Sequence, residues 1–543
     1  LYLFDKQICF MLADCIPYKR TGFFSPLILD YLSQNLDLKE FYGNFPSVDN
    51  FKNQFQTKEK TYQNNQRATL VSVLKKQYQL LEVSEATTAN IESLSSSKTF
   101  TVTTGHQLNL FGGPLYFVYK IATTLNLARL LNEKYTEYHV VPIFWMATED
   151  HDFAEINYFN FQNQKISWNR PSGGAVGSLS TEGLQAVSEV FEATLGKGKN
   201  ARFLAALFQK TYLKHNKLAE ATRYFVNELF KETELVIIDA DNAEFKKEFV
   251  PVMEKELIEH TAFDKLSETN VKLKSFGYHI QVNPRKINLF YLQENHRGRI
   301  EKDESKGHYH VDGTDFRFDE TQILSELHTH PERFSPNALM RPVYQESLLP
   351  NLCYIGGGGE IAYWLQLKST FAQFGVTFPI VMLRNSVLLV SDKQAKKLQN
   401  LEISYEDIFL SSHELTNKKI KAISAIPIDF STQKHHLKSQ FESLYKLATQ
   451  TDASFLGAVK AQEAKQTKGL ENLEKRLLKA QKRKLEDEVN RLEKLKDGLF
   501  PNGGLQERTV NFSDFYLELG DETIPLLLSQ LNPLDFRFAI VEI

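Results

Sequence analysis

Residues 99–152 constrain the fold more than any other stretch of this chain. Thr99-Phe100-Thr101-Val102-Thr103 is a short β-prone run. A Gly-rich loop follows, from Thr104-Gly105-His106-Gln107 to Gly112-Gly113-Pro114, and then a helical pattern over 115–133 with Pro114 suited to its first turn. His139 to Trp145 is a second apolar run, ending at Glu149-Asp150-His151-Asp152. Strand, loop, helix and strand in about fifty residues form the βαβ unit of a parallel sheet, which binds ligands at its carboxyl ends. Leu235–Ile238, Leu352–Ile355 and Phe378–Leu383 read as further core strands.

The organisation follows from that core. Residues 1–98 read as helices joined by polar loops and packed on an α/β core at 99–392. Two insertions interrupt the core, at about 157–233 and 270–333. The second holds β-prone pieces at Tyr278–Val282 and Leu289–Leu292. Residues 393–432 read as linker helices. From 433 to 499 there is no proline, and Leu470, Leu473, Leu477 and Ala480, then Leu485, Leu492, Leu495 and Leu499, keep three-four spacing. That predicts one or two coiled-coil arms with a stutter near 481. Residues 500–543 read as a tail returning to the core.

Composition narrows the function classes. The net charge of −3 speaks against nucleic acid as a partner. Three cysteines, Cys9, Cys15 and Cys353, suit a reducing, cytoplasmic setting, with Cys353 a buried small hydrophobe. No apolar stretch approaches the length of a membrane span, and no signal peptide is expected from Leu1–Lys6. P-loop, Gly-x-Gly-x-x-Gly, Gly-x-Ser-x-Gly and His-Glu-x-x-His motifs are absent. The pairs His308/His310, His328/His330 and His435/His436 lack a third ligand, so no metal site is expected.

Polar groups crowd the strand ends. Gly105, His106, Gln107, Gly113 and Pro114 precede a helix, where backbone N–H groups and the positive helix end favour an anion. A simple tight turn is the alternative. Glu149, Asp150, His151 and Asp152 would face the same crevice as an amine site, a Mg²⁺ site or a general base, or else form a solvated acidic turn. Gly356, Gly357 and Glu360 repeat the loop-to-helix arrangement, with Trp364 on that helix. Arg384, Asn385 and Ser386 offer a bidentate anion binder, and Arg341, Tyr344, Gln345 and Glu346 form a polar group in an apolar segment.

These segments resemble the bacillithiol biosynthesis cysteine-adding enzyme family. The likeness runs through Thr104-Gly105-His106-Gln107, Leu110 to Tyr116 and Tyr119-Lys120, then Phe144 to Asp152. It continues through Phe334 to Asn337, Arg341-Pro342, Gln345-Glu346, Tyr354 to Glu360, Ala362 to Trp364 and Arg384-Asn385-Ser386. The resemblance implies a Rossmann-like core like that of class I aminoacyl-tRNA synthetase-type nucleotidyltransferases, with connecting-peptide insertions and a dimerising coiled coil. It implies a ligase that joins the carboxyl of L-cysteine to the amine of glucosaminyl-malate. Carboxyl activation, as acyl-adenylate or acyl-phosphate, makes ATP the inferred co-substrate, with Mg²⁺ optional. The synthetase signatures His-x-Gly-His and Lys-Met-Ser-Lys-Ser are absent, and Gly358 stands where many relatives carry proline.

On that reading Gly105, His106, Tyr116 and Gly356 hold nucleotide or substrate anions. The Glu149–Asp152 cluster binds an amine or acts as base, and Arg384 pairs with the malyl carboxylates. The competing readings are another ATP-dependent amino-acid ligase on the same fold and a non-catalytic coiled-coil scaffold.

Overall fold

The computed structural model describes residues 11–303, 305 and 307–543. Cys9 and the Leu1–Lys6 segment lie outside the described residues. The chain divides into two compact units. One takes in the residues up to Lys19, Phe23–Leu389 and Leu505–Ile543, the other Arg20–Gly22 and Val390–Gly504.

Among the described residues, the first unit is built on a five-stranded sheet. Its strands are β1 (Thr99–His106), β2 (His139–Met146), β3 (Val236–Asp239), β4 (Asn351–Gly356) and β5 (Ile380–Leu383). The order is β5-β4-β1-β2-β3, every pair parallel. This is the doubly wound arrangement, with its reversal of strand order between β1 and β4.

Strand β1 carries four threonines yet is buried throughout. Its central position is possible because β4 satisfies the hydroxyls. Thr101 and Thr103 donate to Asn351 Oδ1 (3.1 and 2.9 Å), and Thr104 donates to the Ile355 carbonyl (2.8 Å). Helix α1 (Tyr116–Lys134) makes the crossover to β2. Its Leu127 and Leu131 join Phe100, Val102, Leu352, Ile355, Ile380 and Met382 in one core, closed by Phe51 and Phe55 of helix Val48–Thr61. Each such side chain contributes about 1.5–3 kcal/mol by burial.

The first insertion is a hairpin, Tyr158–Phe161 with Gln164–Ser167, followed by helices Leu184–Leu195, Lys199–Leu213 and Leu218–Leu229. After β3 come helix α2 (Ala243–Glu259) and an antiparallel sheet. That sheet is ordered Arg317–Phe318, His308–Val311, His296–Asp303, Leu289–Gln293, Phe334–Pro336. Helices α3 (Met340–Leu348) and α4 (Gly358–Trp364) flank β4.

Tyr278–Val282 is not a strand, against the expectation from its composition. The Gln366 side chain takes the place of a strand partner, accepting from Val282 N (3.2 Å) and donating to Val282 O (2.9 Å). Strand Met11–Pro17 is also unexpected in a region that reads as helical. It pairs antiparallel with Arg537–Glu542, which lies beside Val387–Val390.

In the second unit, helix Ser431–Ala448 folds back antiparallel on Ala453–Lys484. Phe441, Ala448 and Val459 form their shared core, and Lys434 pairs with Glu474 at 2.6 Å. Asp452 caps the second helix through Phe455 N (2.9 Å). The break expected near 481 falls at Leu485 (φ −105°, ψ 28°), and helix Glu486–Leu499 follows. Among the described residues, no helix is long and apolar enough to cross a membrane.

Candidate active site at the strand ends

A cleft of about 390 Å³ opens at the carboxyl ends of β1, β2 and β4. Gly105 and His106 end β1, with Gln107 next to them. Tyr116 and Lys120, one helical turn apart, line it from α1, and Trp145 to Asp150 line it from β2. Arg341 comes from α3, Tyr354 from β4, and Glu360 and Tyr363 from α4. Arg297, Pro336, Asn337 and Ala338 come from the inserted antiparallel sheet and the turn after it.

The floor is an ion pair. Lys120 is 2 % exposed in its side chain, and its Nζ meets Glu360 Oε2 at 2.7 Å and also donates to the Gly105 carbonyl. Glu360 accepts as well from the Tyr354 hydroxyl (2.6 Å) and Gly357 N (2.9 Å). Burial would raise the Glu360 carboxyl, but Lys120, Tyr354 and Gly357 outweigh it and hold it down at about 2. Burial lowers Lys120, which Glu360 opposes. Beside them His106 is buried and its Nε2 has no hydrogen-bond partner among the described residues. Burial, aided by the Lys120 ammonium, pushes it down to about 3 against the pull of Glu360, so the imidazole is neutral.

The far wall carries the acidic turn. Glu149 is committed to Lys246 of α2 (2.7 Å), which also meets Asp241 (3.0 Å). Burial raises Glu149, and Lys246 partly offsets it. Asp150 accepts at Oδ1 from His151 N (2.7 Å) and at Oδ2 from Gln107 Nε2 (2.8 Å), and Gln107 also donates to Glu155 (2.8 Å). His151 and Asp152 lie outside the cleft lining, and His151 stands half-exposed beside Arg297.

Two arginines face the cleft, Arg341 and Arg297. Arg341 donates to Gln345 Oε1 (3.1 Å) and the Tyr363 hydroxyl (3.0 Å), and each guanidinium keeps at least one N–H that no group among the described residues takes up. Neither makes an ion pair among the described residues.

Several expected ligand residues are used structurally instead. Gly112 (φ 78°) and Gly113 (φ 62°) turn the chain so that Phe111 enters the first insertion. There its ring lies 5.1–5.4 Å from Phe159, Phe191, Phe208, Phe225 and Phe512. A Cβ at Gly113 would lie 2.6 Å from Asn109 Cβ. Asn511 donates to the Phe111 and Gly113 carbonyls (2.9 and 2.6 Å), so Gly113 serves to anchor Phe111 and not to cradle an anion, and Pro114 lies outside the cleft lining.

Arg384 is likewise no free anion binder. Its two Nη atoms donate to Glu507 at 3.0 and 2.6 Å, both residues buried, and Ser386 Oγ also bonds Glu507 (3.3 Å). Asn385 is held by Thr123 and the Asn532 carbonyl. Trp364 is fully buried, stacked on Tyr354 at 4.3 Å, behind the cleft wall. Gln345 supports Arg341 from behind. Gly356 and Gly357 lie outside the lining, with Gly357 N turned toward Glu360.

Sequence reasoning gives Lys120, Arg297, Tyr354 and Tyr363 no site role, although all but Arg297 lie in the segments that carry the likeness. A lone lysine in the apolar run Phe117–Ala122 is a signal that marks Lys120. Arg297, in a charged hairpin strand, carries none.

Fold and cleft together define a Rossmann-like α/β protein with a polar cleft at the switch point of its sheet. The family described as "Bacillithiol biosynthesis BshC, N-terminal Rossmann-like domain" matches residues 11–385, and "Bacillithiol biosynthesis BshC, C-terminal coiled-coil domain" matches residues 387–543. The chain belongs to this BshC family, and with it to the ligases. Among its relatives, one from Flavobacterium johnsoniae is 55% identical, covering 98% of this chain and 100% of its own. One from Christiangramia forsetii is 54% identical over 98% and 99%, and one from Cytophaga hutchinsonii 38% over 95% and 96%. All three carry the name "Putative cysteine ligase BshC".

Proposed function

We propose that this cleft joins the carboxyl group of L-cysteine to the amine of glucosaminyl-malate in the cytoplasm, with ATP activating the carboxyl. The observation that carries the reading is the contrast between carboxylates paired with lysines and guanidiniums that make no ion pair among the described residues. Glu149 is held by Lys246 and Glu360 by Lys120, whereas Arg341 and Arg297 make no close ion pair among the described residues. Partly buried cations without counter-ions favour an anionic ligand, and a malyl group brings two carboxylates. Arg341 takes the role proposed from sequence for Arg384, whose two Nη atoms are bound to Glu507.

Asp150 is the lining carboxylate without a cationic side chain in short contact, and its remaining lone pairs suit removal of a proton from the attacking amine. ATP supplies a better leaving group on the cysteine carboxyl. The orphaned His106 Nε2 near the start of α1, with Gly105 beside it, fits a phosphate oxygen if the Nε2 tautomer carries the proton. Any Mg²⁺ would be carried by the phosphates of the nucleotide. The helical hairpin of the second unit is the proposed dimer element.

Purified protein incubated with glucosaminyl-malate, cysteine and Mg²⁺, with and without ATP, tests this by mass spectrometry. Bacillithiol formed only with ATP is the expected result. Product without ATP overturns the activation step, and no product with either overturns the acceptor or the donor.

A further inference from the structure

The turn bearing Asp150 and His151 is held from two sides by segments remote in sequence. From the first insertion, Val176 N donates to the Asp150 carbonyl (2.7 Å) and Gly177 N to the Thr148 carbonyl (2.9 Å). A Cβ at Gly177 would lie 2.8 Å from Thr148 Cβ, so the approach requires glycine. From the inserted sheet comes Arg297. The two insertions also touch, because a Cβ at Gly173 would lie 2.2 Å from the Asn295 carbonyl oxygen at the hairpin tip. Arg297, two residues past that tip, is therefore placed by the same clasp that holds the turn.

Arg297 is itself anchored. Its Nε and Nη2 donate to Ser335 Oγ (3.2 and 2.9 Å), and Nη2 donates to the Pro336 carbonyl (3.0 Å). The guanidinium lies 4.1 Å from the centroid of the Phe290 ring. Its Nη1 lies 2.8 Å from His151 Nδ1. A guanidinium offers only N–H donors, so Nδ1 must accept, and a neutral imidazole then carries its proton on Nε2.

The charged groups around His151 divide by element. Asp150 and Asp152, on its own turn, favour the imidazolium, while Arg297 and Arg299, on the inserted sheet, oppose it. Burial with Arg297 prevails, and the group titrates below its usual range. Asp150 Oδ1, at 3.8 Å from Nδ1, is too far to displace the 2.8 Å contact.

We propose that Arg297 is a positioning residue that fixes His151 as the Nε2–H tautomer. His151, next to the cleft-lining Asp150 and Arg297, then carries a hydrogen-bond donor at the edge of the cleft and leaves proton abstraction to Asp150. Such a donor suits an oxygen that gains negative charge when an amine attacks an acyl carbon. The tautomer stands on geometry alone, while the use made of it rests on the ligase reading above.

Nitrogen-15 spectra of histidine-labelled full-length protein, with His151 assigned through H151Q, read the tautomer without any substrate. The expected spectrum shows a protonated Nε2 and a bare Nδ1 across neutral pH. R297A moves the midpoint upward and mixes the tautomers. S335A, which loosens Arg297 while leaving the guanidinium in place, does so to a smaller extent. In turnover with cysteine, glucosaminyl-malate and ATP, H151A falls about tenfold or more below H151Q, because the amide supplies a donor but no base.

A protonated Nδ1 in the wild type, or H151Q no better than H151A with both folded, overturns the proposal. If the wild type forms no product, the ligase reading fails while the spectra still decide the tautomer.

Discussion

Two polar segments leave strands of the same sheet at their carboxyl ends, Glu149–Asp152 after β2 and Arg384–Ser386 after β5, yet they do opposite things. After β5, Arg384 and Ser386 close on Glu507, and Asn385 closes on Thr123 and Asn532, fastening the returning C-terminal segment to the sheet. After β2, the hydrogen-bond partners of Asp150 among the described residues are a neutral amide and backbone N–H groups, and it faces a cleft. A site is distinguished from a structural anchor by the hydrogen-bonding capacity it leaves open, and residue type alone does not reveal that.

The contrast breaks most sharply under substitution. D150A is expected to lower turnover by about 10²–10⁴-fold, the range of general acid–base catalysis, with thermal stability nearly unchanged. E507Q is expected to do the reverse. It leaves the buried Arg384 charge without a counter-ion, at a cost of about 3–5 kcal/mol in denaturant unfolding. If E507Q instead unfolds like wild type while substrate binding collapses, Arg384 belongs to the site after all.

A third effect separates the cleft floor from the network behind it. Glu346, fully buried with Gln345 and Asn351 as donors, is raised to about 7 by burial despite Lys58. A carboxyl raised in the folded state contributes stability present below the unfolded value near 4.5 and lost as pH rises through about 7. Glu360, held at about 2, works the other way, with stability present above 4.5 and lost as pH falls through 2. Between pH 4.5 and 7, E346Q should therefore flatten a fall in stability of about 1–3 kcal/mol, followed by urea unfolding at stepped pH. An unaltered slope would place the titration elsewhere.

The sheet is legible in the sequence because β2 to β5 are apolar runs and β1 leads into a turn and a patterned helix. The cleft is half legible. Gly105, His106, Asp150 and Glu360 lie at strand or helix ends that the pattern predicts, and Arg341 lies in a polar group that stands out from an apolar segment. Arg297 does not, because it reaches the turn through the register of an inserted antiparallel sheet, which no local spacing encodes. The pairing of Met11–Pro17 with Arg537–Glu542 is hidden for the same reason, since its partners lie at opposite ends of the chain. Gly113 and Arg384 mislead because glycine and arginine serve aromatic anchoring and buried ion pairing as readily as they serve ligands.

The smallest expected effect bears on how Asp150 is aimed. Gln107 Nε2 bridges Asp150 Oδ2 and Glu155 Oε2, both at 2.8 Å, so one amide ties the turn after β2 to the loop after β1. Q107A removes both hydrogen bonds, but the pair is partly exposed and water replaces much of what is lost. The loss should be about 0.5–1.5 kcal/mol, a several-fold fall in kcat with little change in KM, because Asp150 stays in place through His151 N and only its aim loosens. A rise in KM at constant kcat would instead make Gln107 a ligand contact. The double variant Q107A/D150A decides between the two. If Gln107 acts through Asp150, removing it costs nothing further once the carboxylate is gone.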